Sequence, residues 1–256
     1  MIVTTPQKPT PEQTEYARGL AEELGARFVP RKQDSLLLLK AKHEDVRLLV
    51  ADDRGLRYYE DSEAPLYFHP SMAYVRVKRM RKGEGDPLIA VTGCQPGDTV
   101  VDCTAGLGSD SIVFAYAVGP EGSVTALESE RVLYTVVREG LRTYRTQHED
   151  VNEALRRIAM RLTDHLDYLK RLPDKSVDIV YFDPMFRQPV HDSSALSPLR
   201  ALANGAALGE ASIREALRVA RKCVALKEHA DSGEFERLGF ESRHRNKIAY
   251  GVIIKA

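Results

Sequence analysis

The sequence predicts a mostly parallel α/β fold preceded by a small α/β lobe, and three observations support this prediction. From residue 99 onward, short apolar runs alternate with helical stretches, which is typical of a parallel sheet covered on both faces. The last apolar stretch, 247–254, follows its predecessor with no room for a crossover helix, so we expect an antiparallel hairpin at the end of the sheet. The 256 residues suffice for one large domain and an appendage.

Composition narrows the class of protein. Hydrophobic residues make up 43% and charged residues 29% of the chain, which is ordinary for a globular protein. The 37 basic residues balance 37 acidic ones, and this balance excludes a strongly basic nucleic-acid-binding protein but not a local basic patch. No apolar run approaches the roughly 20 residues of a membrane span, and the N-terminus lacks the pattern of a secretory signal. Cysteines at 94, 103 and 223 form no C-x-x-C pair, so we expect buried thiols in a reducing cytoplasm and no metal site.

Residues 1–65 are expected to form the small N-terminal lobe. A helix is predicted to begin after Thr10, with Pro11 in its first turn, and to end at Gly25. We find no catalytic constellation in this lobe. Its predicted strands cover residues 2–5, 28–29 and 46–50, before a turn at 53–55.

Residues 66–256 are expected to form the second, larger domain. Helices are predicted over 71–82 and 88–92, separated by a glycine- and proline-containing break. The predicted strands cover residues 99–102, 123–127, 158–162, 177–182, part of 219–227, and 249–255.

The turn after the strand 99–102 is the most informative stretch of the chain. Gly106 and Gly108 allow the backbone to approach a ligand closely. Asp102 and Asp110 flank the turn, and two carboxylates would repel the pyrophosphate of a dinucleotide, which disfavours a nicotinamide dehydrogenase. They suit instead a cationic amino acid moiety such as that of S-adenosylmethionine, which carries an ammonium and a sulfonium. The alternative is a simple tight turn between a strand and a helix.

Acids also follow the next two predicted strands. Glu128, followed by Ser129, could accept both hydroxyls of a ribose. Asp164, followed by His165, could accept from an adenine amino group. Alternatively, Glu128 is an exposed acid at a helix N-terminus and Asp164 caps the following helix.

The buried strand 177–182 ends in Asp183-Pro184-Met185-Phe186. This order is similar to the D/N-P-P-Y/F loop of enzymes that methylate exocyclic amino groups of bases. Such a nitrogen is a poor nucleophile because its lone pair is delocalised into the base. Acceptors on Asp183 and Pro184 could hold its N–H groups and aim it at a methyl donor, while Phe186 stacks on the base. A turn is the alternative interpretation.

A basic run lies just upstream of the first strand of the larger domain. Together with Arg187, it could hold the phosphates of a nucleic acid near the mouth of the site, or it could be a solvated face. The candidate nucleic-acid-binding residues are Arg76, Lys78, Arg79, Arg81, Lys82 and Arg187.

The segments Asp102–Asp110 and Tyr181–Phe186 resemble those of the bacterial 16S ribosomal RNA guanine-N2 methyltransferases, the RsmJ-like group of class I S-adenosylmethionine-dependent methyltransferases. Residues 194–196 correspond to a further S-A-L motif. The chain departs from the pattern at Ser109, where the family has arginine, and at 187–189, where the family has proline directly after D-P-M-F. It also departs at 225–229, where A-L-K-E-H replaces the family's V-V-K-R-P, and over its first 65 residues. These departures indicate a divergent member.

The resemblance implies a Rossmann-like fold with a mostly parallel seven-stranded sheet, S-adenosylmethionine as cofactor and a base in small-subunit ribosomal RNA as acceptor. It also implies roles for individual residues. The expected catalytic residues are Asp183, Pro184 and Phe186, and the expected cofactor-binding residues are Asp102, Ala105, Gly106, Gly108, Ser109, Asp110, Glu128, Ser129, Asp164, His165 and Asp183.

The expected activity is therefore N-methylation of a ribosomal RNA base, in the cytoplasm and away from membranes. Two alternatives stay open: a methyltransferase for a small-molecule or protein amine, and a noncatalytic RNA-binding module that keeps the fold. Acids at 102, 110, 128 and 183 argue against the second, because a retired site has no need of four carboxylates at neighbouring strand ends. Whether the protein is a monomer or a homodimer is not predicted.

Overall fold

The structure, a computed structural model, describes residues 1–60, 64–184, 208–244 and 247–255. The described chain divides into two compact units. The first contains Met1–His69 and Arg131–Tyr144, and the second contains Pro70–Glu130 with residues 145–184 and 208–255. A functional division into domains 1–65 and 66–256 stays a prediction.

The first unit contains a five-stranded sheet in the order β2-β1-β3-β4-β5. The predicted helix is confirmed: Thr10 caps it by accepting from the Gln13 amide at 3.2 Å, and Gly25 ends it with φ of 60°. The sequence interpretation missed α2, β4 and β5. The elements of this unit are β1 (Ile2–Thr4), α1 (Pro11–Leu24), β2 (Arg27–Phe28), α2 (Leu36–His43), β3 (Leu48–Asp52), β4 (Gly55–Tyr59), β5 (Leu66–Tyr67) and α6 (Arg131–Thr143).

The second unit alternates strands and helices, and every strand predicted for it is present within a few residues. Its helices are α3 (Ser71–Met80), α4 (Pro87–Thr92), α5 (Ser109–Val118), α7 (Glu149–Arg157), α8 (His165–Arg171), α9 (Glu210–Val219) and α10 (Glu234–Leu238). Its strands are β6 (Thr99–Asp102), β7 (Ser123–Glu128), β8 (Ile158–Leu162), β9 (Val177–Phe182), β10 (Ala220–His229), β11 (Glu241–His244) and β12 (Ile248–Ile254).

The sheet of the second unit has seven strands in the order β11-β12-β10-β9-β6-β7-β8. The pairs among β8, β7, β6, β9 and β10 are parallel. Strand β12 is antiparallel to both β10 and β11. The expected α/β fold with a terminal antiparallel hairpin is therefore confirmed.

Both faces of this sheet are buried, which explains why its strands are continuous apolar runs rather than alternating ones. On one face, Val180 packs in a cluster with Leu169 of α8, Ile213 of α9 and Phe235 of α10. On the other face, Tyr181 contacts Phe114 of α5 edge to face, with ring centroids 5.3 Å apart. This packing fixes the carboxyl ends of the strands, where the candidate site lies.

The cysteines at 94, 103 and 223 are buried and form no disulfide. In the described part of the chain, no helix combines the length and the apolar character that crossing a membrane requires.

Candidate active site

The carboxyl ends of four neighbouring parallel strands carry the acids singled out in the sequence. Asp102 ends β6, Glu128 ends β7, Asp164 follows β8 and Asp183 follows β9. Because β8, β7, β6 and β9 are adjacent and parallel, these residues share one edge of the sheet. Ligands of open α/β sheets bind at this edge.

The glycine-rich turn joins β6 to α5 through left-handed backbone. Gly106 has φ of 50° and Gly108, the residue before α5, has φ of 77°, both in the region that favours glycine. The amide of Ala105 donates to the carbonyl of Leu127 at 2.9 Å, which ties the turn to β7. Ser109 begins the helix.

The side chain of Asp102 stabilises this turn through hydrogen bonds. Its side chain accepts from the Thr104 amide at 3.1 Å and from the Ser111 hydroxyl at 2.5 Å, and the residue is 1% exposed. Burial raises the pKa of its carboxyl to about 7. The structure thus gives Asp102 a role in shaping the turn rather than an exposed oxygen for a ligand.

Asp110 is fully engaged by the protein itself. One carboxylate oxygen accepts from Arg76, and the other accepts from Lys227 Nζ at 2.9 Å and the Tyr181 hydroxyl at 2.7 Å. Although burial works in the opposite direction, Lys227 and Arg76 hold the pKa of Asp110 below its ordinary value. Because two internal cations already contact its oxygens, Asp110 does not fit the expected direct pairing with a cationic ligand.

Asp183 is held from two sides at the end of β9. Its amide donates to the Thr104 hydroxyl at 2.5 Å, and its Oδ2 accepts from Lys227 Nζ at 2.8 Å. Burial raises the pKa of its carboxyl to about 6, while Lys227 acts to lower it. The side chain is 25% exposed, so the carboxylate is fixed but reachable.

The sequence interpretation missed Lys227 as a site residue. Leu226 and Phe182 are partners in the register of the parallel strands β10 and β9, so Lys227 lies beside Asp183. A lysine directly after the apolar run 223–226 of β10 was the available signal, because a buried ammonium requires a partner.

Glu128 and Ser129 lie where β7 leaves the sheet. Glu128 accepts from the Glu130 amide at 2.9 Å through Oε1 and is partly exposed. Burial raises the pKa of its carboxyl. Ser129 is exposed.

Asp164 caps α8, accepting from the amides of residues 166 and 167 at 2.8 and 3.2 Å. The neighbouring His165 lies within 2.9 Å of the Ser212 hydroxyl through Nε2, and its ring contacts Phe182 edge to face. Burial lowers the pKa of His165, which favours a neutral ring. These contacts fix the position of the imidazole beside the carboxyl end of β8.

The basic run lies on and just after α3, and Arg76 differs from its neighbours. It forms a bidentate ion pair with Asp86, at 2.8 Å for each bond, besides its contact with Asp110, and it is largely buried. Arg76 therefore serves the interior of the site and is not available to a phosphate without breaking these pairs. Of the other basic residues, Arg79 pairs with Glu84, Arg81 with Asp150, Lys78 lies over the ring of Tyr74, and Lys82 is exposed.

Phe186, Arg187 and residues 194–196 lie outside the described residues. Pro184 is described and partly exposed beside Asp183.

Comparison with known proteins adds three findings. Residues 31–228 match the sequence model of a family described as "Putative SAM-dependent methyltransferase". YpiP of Bacillus subtilis (strain 168) is 42% identical over 255 residues, 98% of each chain. Proteins named ribosomal RNA small subunit methyltransferase J are more distant. That of Marinobacter nauticus is 31% identical, and the match covers 70% of this chain and 63% of that protein. That of Acinetobacter baumannii (strain ATCC 17978) is 28% identical, and the match covers 71% of this chain and 61% of that protein.

Among solved structures, the SAM-dependent methyltransferase NGO1261 from Neisseria gonorrhoeae shares the fold. The TM-score is 0.63 over 99% of this chain and 96% of that one, at 19% sequence identity. At this identity the likeness extends to the fold and no further.

Proposed function

We propose that this chain, which belongs to the SAM-dependent methyltransferase family, methylates an exocyclic amine of a base in ribosomal RNA, with guanine N2 as the acceptor. The cofactor, S-adenosylmethionine, follows from the family. The acceptor is supported by Asp183, an acid followed by proline that is fixed and reachable at the end of β9. The relatives named ribosomal RNA small subunit methyltransferase J favour RNA over a small-molecule or protein amine.

Some of the residues present fit the cofactor. The left-handed glycines at 106 and 108 permit close approach of the backbone, and Glu128 offers a partly exposed carboxylate suited to a ribose diol. Ser109 and Ser129 border these groups, and His165 supplies a fixed wall. Asp110 acts indirectly, through the cations that it holds.

The cofactor supplies an activated methyl group, so the protein contributes mainly positioning and electrostatics. The Asp183 carboxylate and the Pro184 carbonyl accept from the N–H groups of the amine and aim the nitrogen. The bound cofactor would supply the methyl group to the nitrogen lone pair, and the electron pair of its S–C bond would remain on sulfur. Positive charge then develops on nitrogen, and the ionised Asp183 stabilises it and can accept the proton that leaves.

The acceptor base must leave its stack to reach Asp183, as in other enzymes that act on bases. We propose that Phe186 stacks on the exposed base and that Arg187 contacts the adjoining phosphates. A ribosomal RNA substrate agrees with the cytoplasmic location expected from the buried thiols.

The proposed RNA contact is the surface formed by α3 and the residues just after it, carried by Lys78, Arg79, Arg81 and Lys82. Replacing Lys78, Arg79 and Lys82 together with glutamate should weaken RNA binding and flatten its dependence on salt, because fewer counterions are released. Filter binding of ribosomal RNA at several salt concentrations measures both. As a control, we choose Lys170 and Arg171, exposed cations at the far end of α8. An unchanged salt slope in the α3 variant would show that this surface is merely solvated.

The function itself is tested by mass-spectrometric mapping of modified nucleosides in ribosomal RNA from cells with and without the gene. One methylated guanine should be absent from the small-subunit RNA of cells that lack it and restored by the purified protein with S-adenosylmethionine. If all ribosomal nucleosides are unchanged while the protein still binds S-adenosylhomocysteine, the acceptor is another amine.

A further inference from the structure

We propose that Lys227 is a positioning residue that keeps Asp183 an ionised hydrogen-bond acceptor and turns it toward the acceptor amine. This inference rests on the proposed role of Asp183. It extends that role by assigning a function to a residue on a different strand, which acts through its contact with Asp183.

The geometry of Lys227 is that of a bridge between two acids. Its Nζ lies 2.8 Å from Asp183 Oδ2 and 2.9 Å from Asp110 Oδ2, and 21% of its side chain is exposed. Because Lys227 holds Oδ2 of Asp183, the other carboxylate oxygen, Oδ1, is the one that would accept from the amine. The ammonium therefore determines which edge of the carboxylate faces the substrate.

Lys227 is itself fixed by a chain of alternating charges. Asp110 is anchored by Arg76 and by the Tyr181 hydroxyl, and Arg76 is anchored in turn by the bidentate pair with Asp86. The lysine therefore bridges toward Asp183 from an anchored position. We name the series Asp86–Arg76–Asp110–Lys227–Asp183 the charge chain.

The groups around the Asp183–Lys227 pair have opposite effects on the pKa of Asp183. Burial and the negative charge of Asp110 raise the pKa of Asp183, whereas Lys227 lowers it. Among the described residues, electrostatic interactions with Asp110, Lys227 or Asp183 also come from Asp102 on β6, Tyr181 on β9, Tyr250 on β12 and Arg76 on α3. Lys227 is the cation in direct contact with Asp183 among the described residues.

Removal of this cation leaves burial and the negative charge of Asp110, which both raise the pKa of Asp183, without a cation in direct contact to oppose them. The carboxyl of Asp183 then keeps its proton at neutral pH, and a protonated carboxyl donates where the amine also donates. A contact with an opposite charge lowers a carboxyl pKa by about 1 to 3 units. Loss of Lys227 should raise the apparent pKa of Asp183 by at least about one unit.

The test compares Lys227→Met with Lys222→Met. Both lysines lie on β10 and pair with an aspartate, but Lys222 pairs with Asp98, which precedes β6 at the opposite edge of the sheet. ¹³C NMR titration of the side-chain carboxyls, with Asp183 assigned through Asp183→Asn, reports the pKa directly. Isothermal titration with S-adenosylhomocysteine checks that the cofactor site is intact, and Lys227→Gln repeats the test if methionine is not tolerated.

We expect the carboxyl resonance of Asp183 to titrate at a higher pH in Lys227→Met than in the wild type, and at the wild-type pH in Lys222→Met. In both variants, the affinity for S-adenosylhomocysteine should stay within about tenfold of the wild type. The acid limb of the pH–rate profile, measured on ribosomal RNA from cells that lack the gene, should move by the same amount, and Lys227→Arg should restore it. An unmoved carboxyl resonance in a folded variant overturns the inference. A moved resonance in a protein that methylates no RNA retains the Lys227–Asp183 linkage and overturns only the proposed acceptor.

Discussion

Replacing Asp183 with alanine should lower kcat about a thousandfold while the Kd for S-adenosylhomocysteine changes less than about tenfold. In the proposed mechanism, the carboxylate accepts from the amine and faces the positive charge that develops on nitrogen. Loss of such a group typically lowers the rate by about two to four orders of magnitude. Methyl transfer from labelled S-adenosylmethionine to ribosomal RNA measures kcat, and isothermal titration measures Kd.

A matched control for this prediction lies on the same strand. Asp178 is also an acid of β9, but it accepts from the Thr99 amide and pairs with Arg221 at the opposite edge of the sheet. Asp178→Ala should lower thermal stability without a selective loss of kcat. If Asp183→Ala weakens cofactor binding as much as it slows transfer, the acid belongs to the cofactor site instead.

Replacing Glu128 with alanine should weaken S-adenosylhomocysteine binding about a hundredfold, which corresponds to about 3 kcal/mol. The carboxylate of Glu128 is the group we assign to the ribose hydroxyls, and hydrogen bonds to a charged acceptor are among the stronger ones. Glu128→Gln retains one acceptor oxygen and should show an intermediate loss. Isothermal titration at fixed pH measures the series.

Glu130 provides the comparison for Glu128, because Glu130 lies two residues further along the same turn. It contacts Glu128 through its backbone amide, which donates to Glu128 Oε1, rather than through its carboxylate. Glu130→Ala should leave the affinity within about threefold of the wild type. Equal losses in both variants would mean that the turn has been disrupted and that no ribose contact has been identified.

The sequence predicted the sheet well because its strands are buried on both faces. The run 177–182 matches β9 at both ends, and 158–162 matches β8. Helix α2 was missed because its four consecutive leucines show no helical periodicity, although Ser35 accepts from the amide of Leu38 as an N-cap.

The candidate site was predicted in its acids but not in its cations. Strand ends locate Asp102, Glu128, Asp164 and Asp183 at one edge as soon as the sheet is parallel. Ion pairs between residues far apart in the chain have no local signal. Arg76 lies 34 residues from Asp110 and Lys227 lies 117 residues from it, so the neutralisation of Asp110 becomes visible only in three dimensions.

The charge chain has an odd number of members, three acids and two cations, and it begins and ends with an acid. Its ionised form therefore carries one surplus negative charge, whereas a chain one member shorter or longer would be neutral. Each interior charge is balanced by its neighbours, and Asp86 is buried at the N-cap of α4. In the proposed mechanism, the surplus lies at Asp183, the partly exposed terminus, where the amine that gains a methyl group also gains one positive charge. The odd number of charges in the chain therefore leaves the acceptor facing a series with a net negative charge.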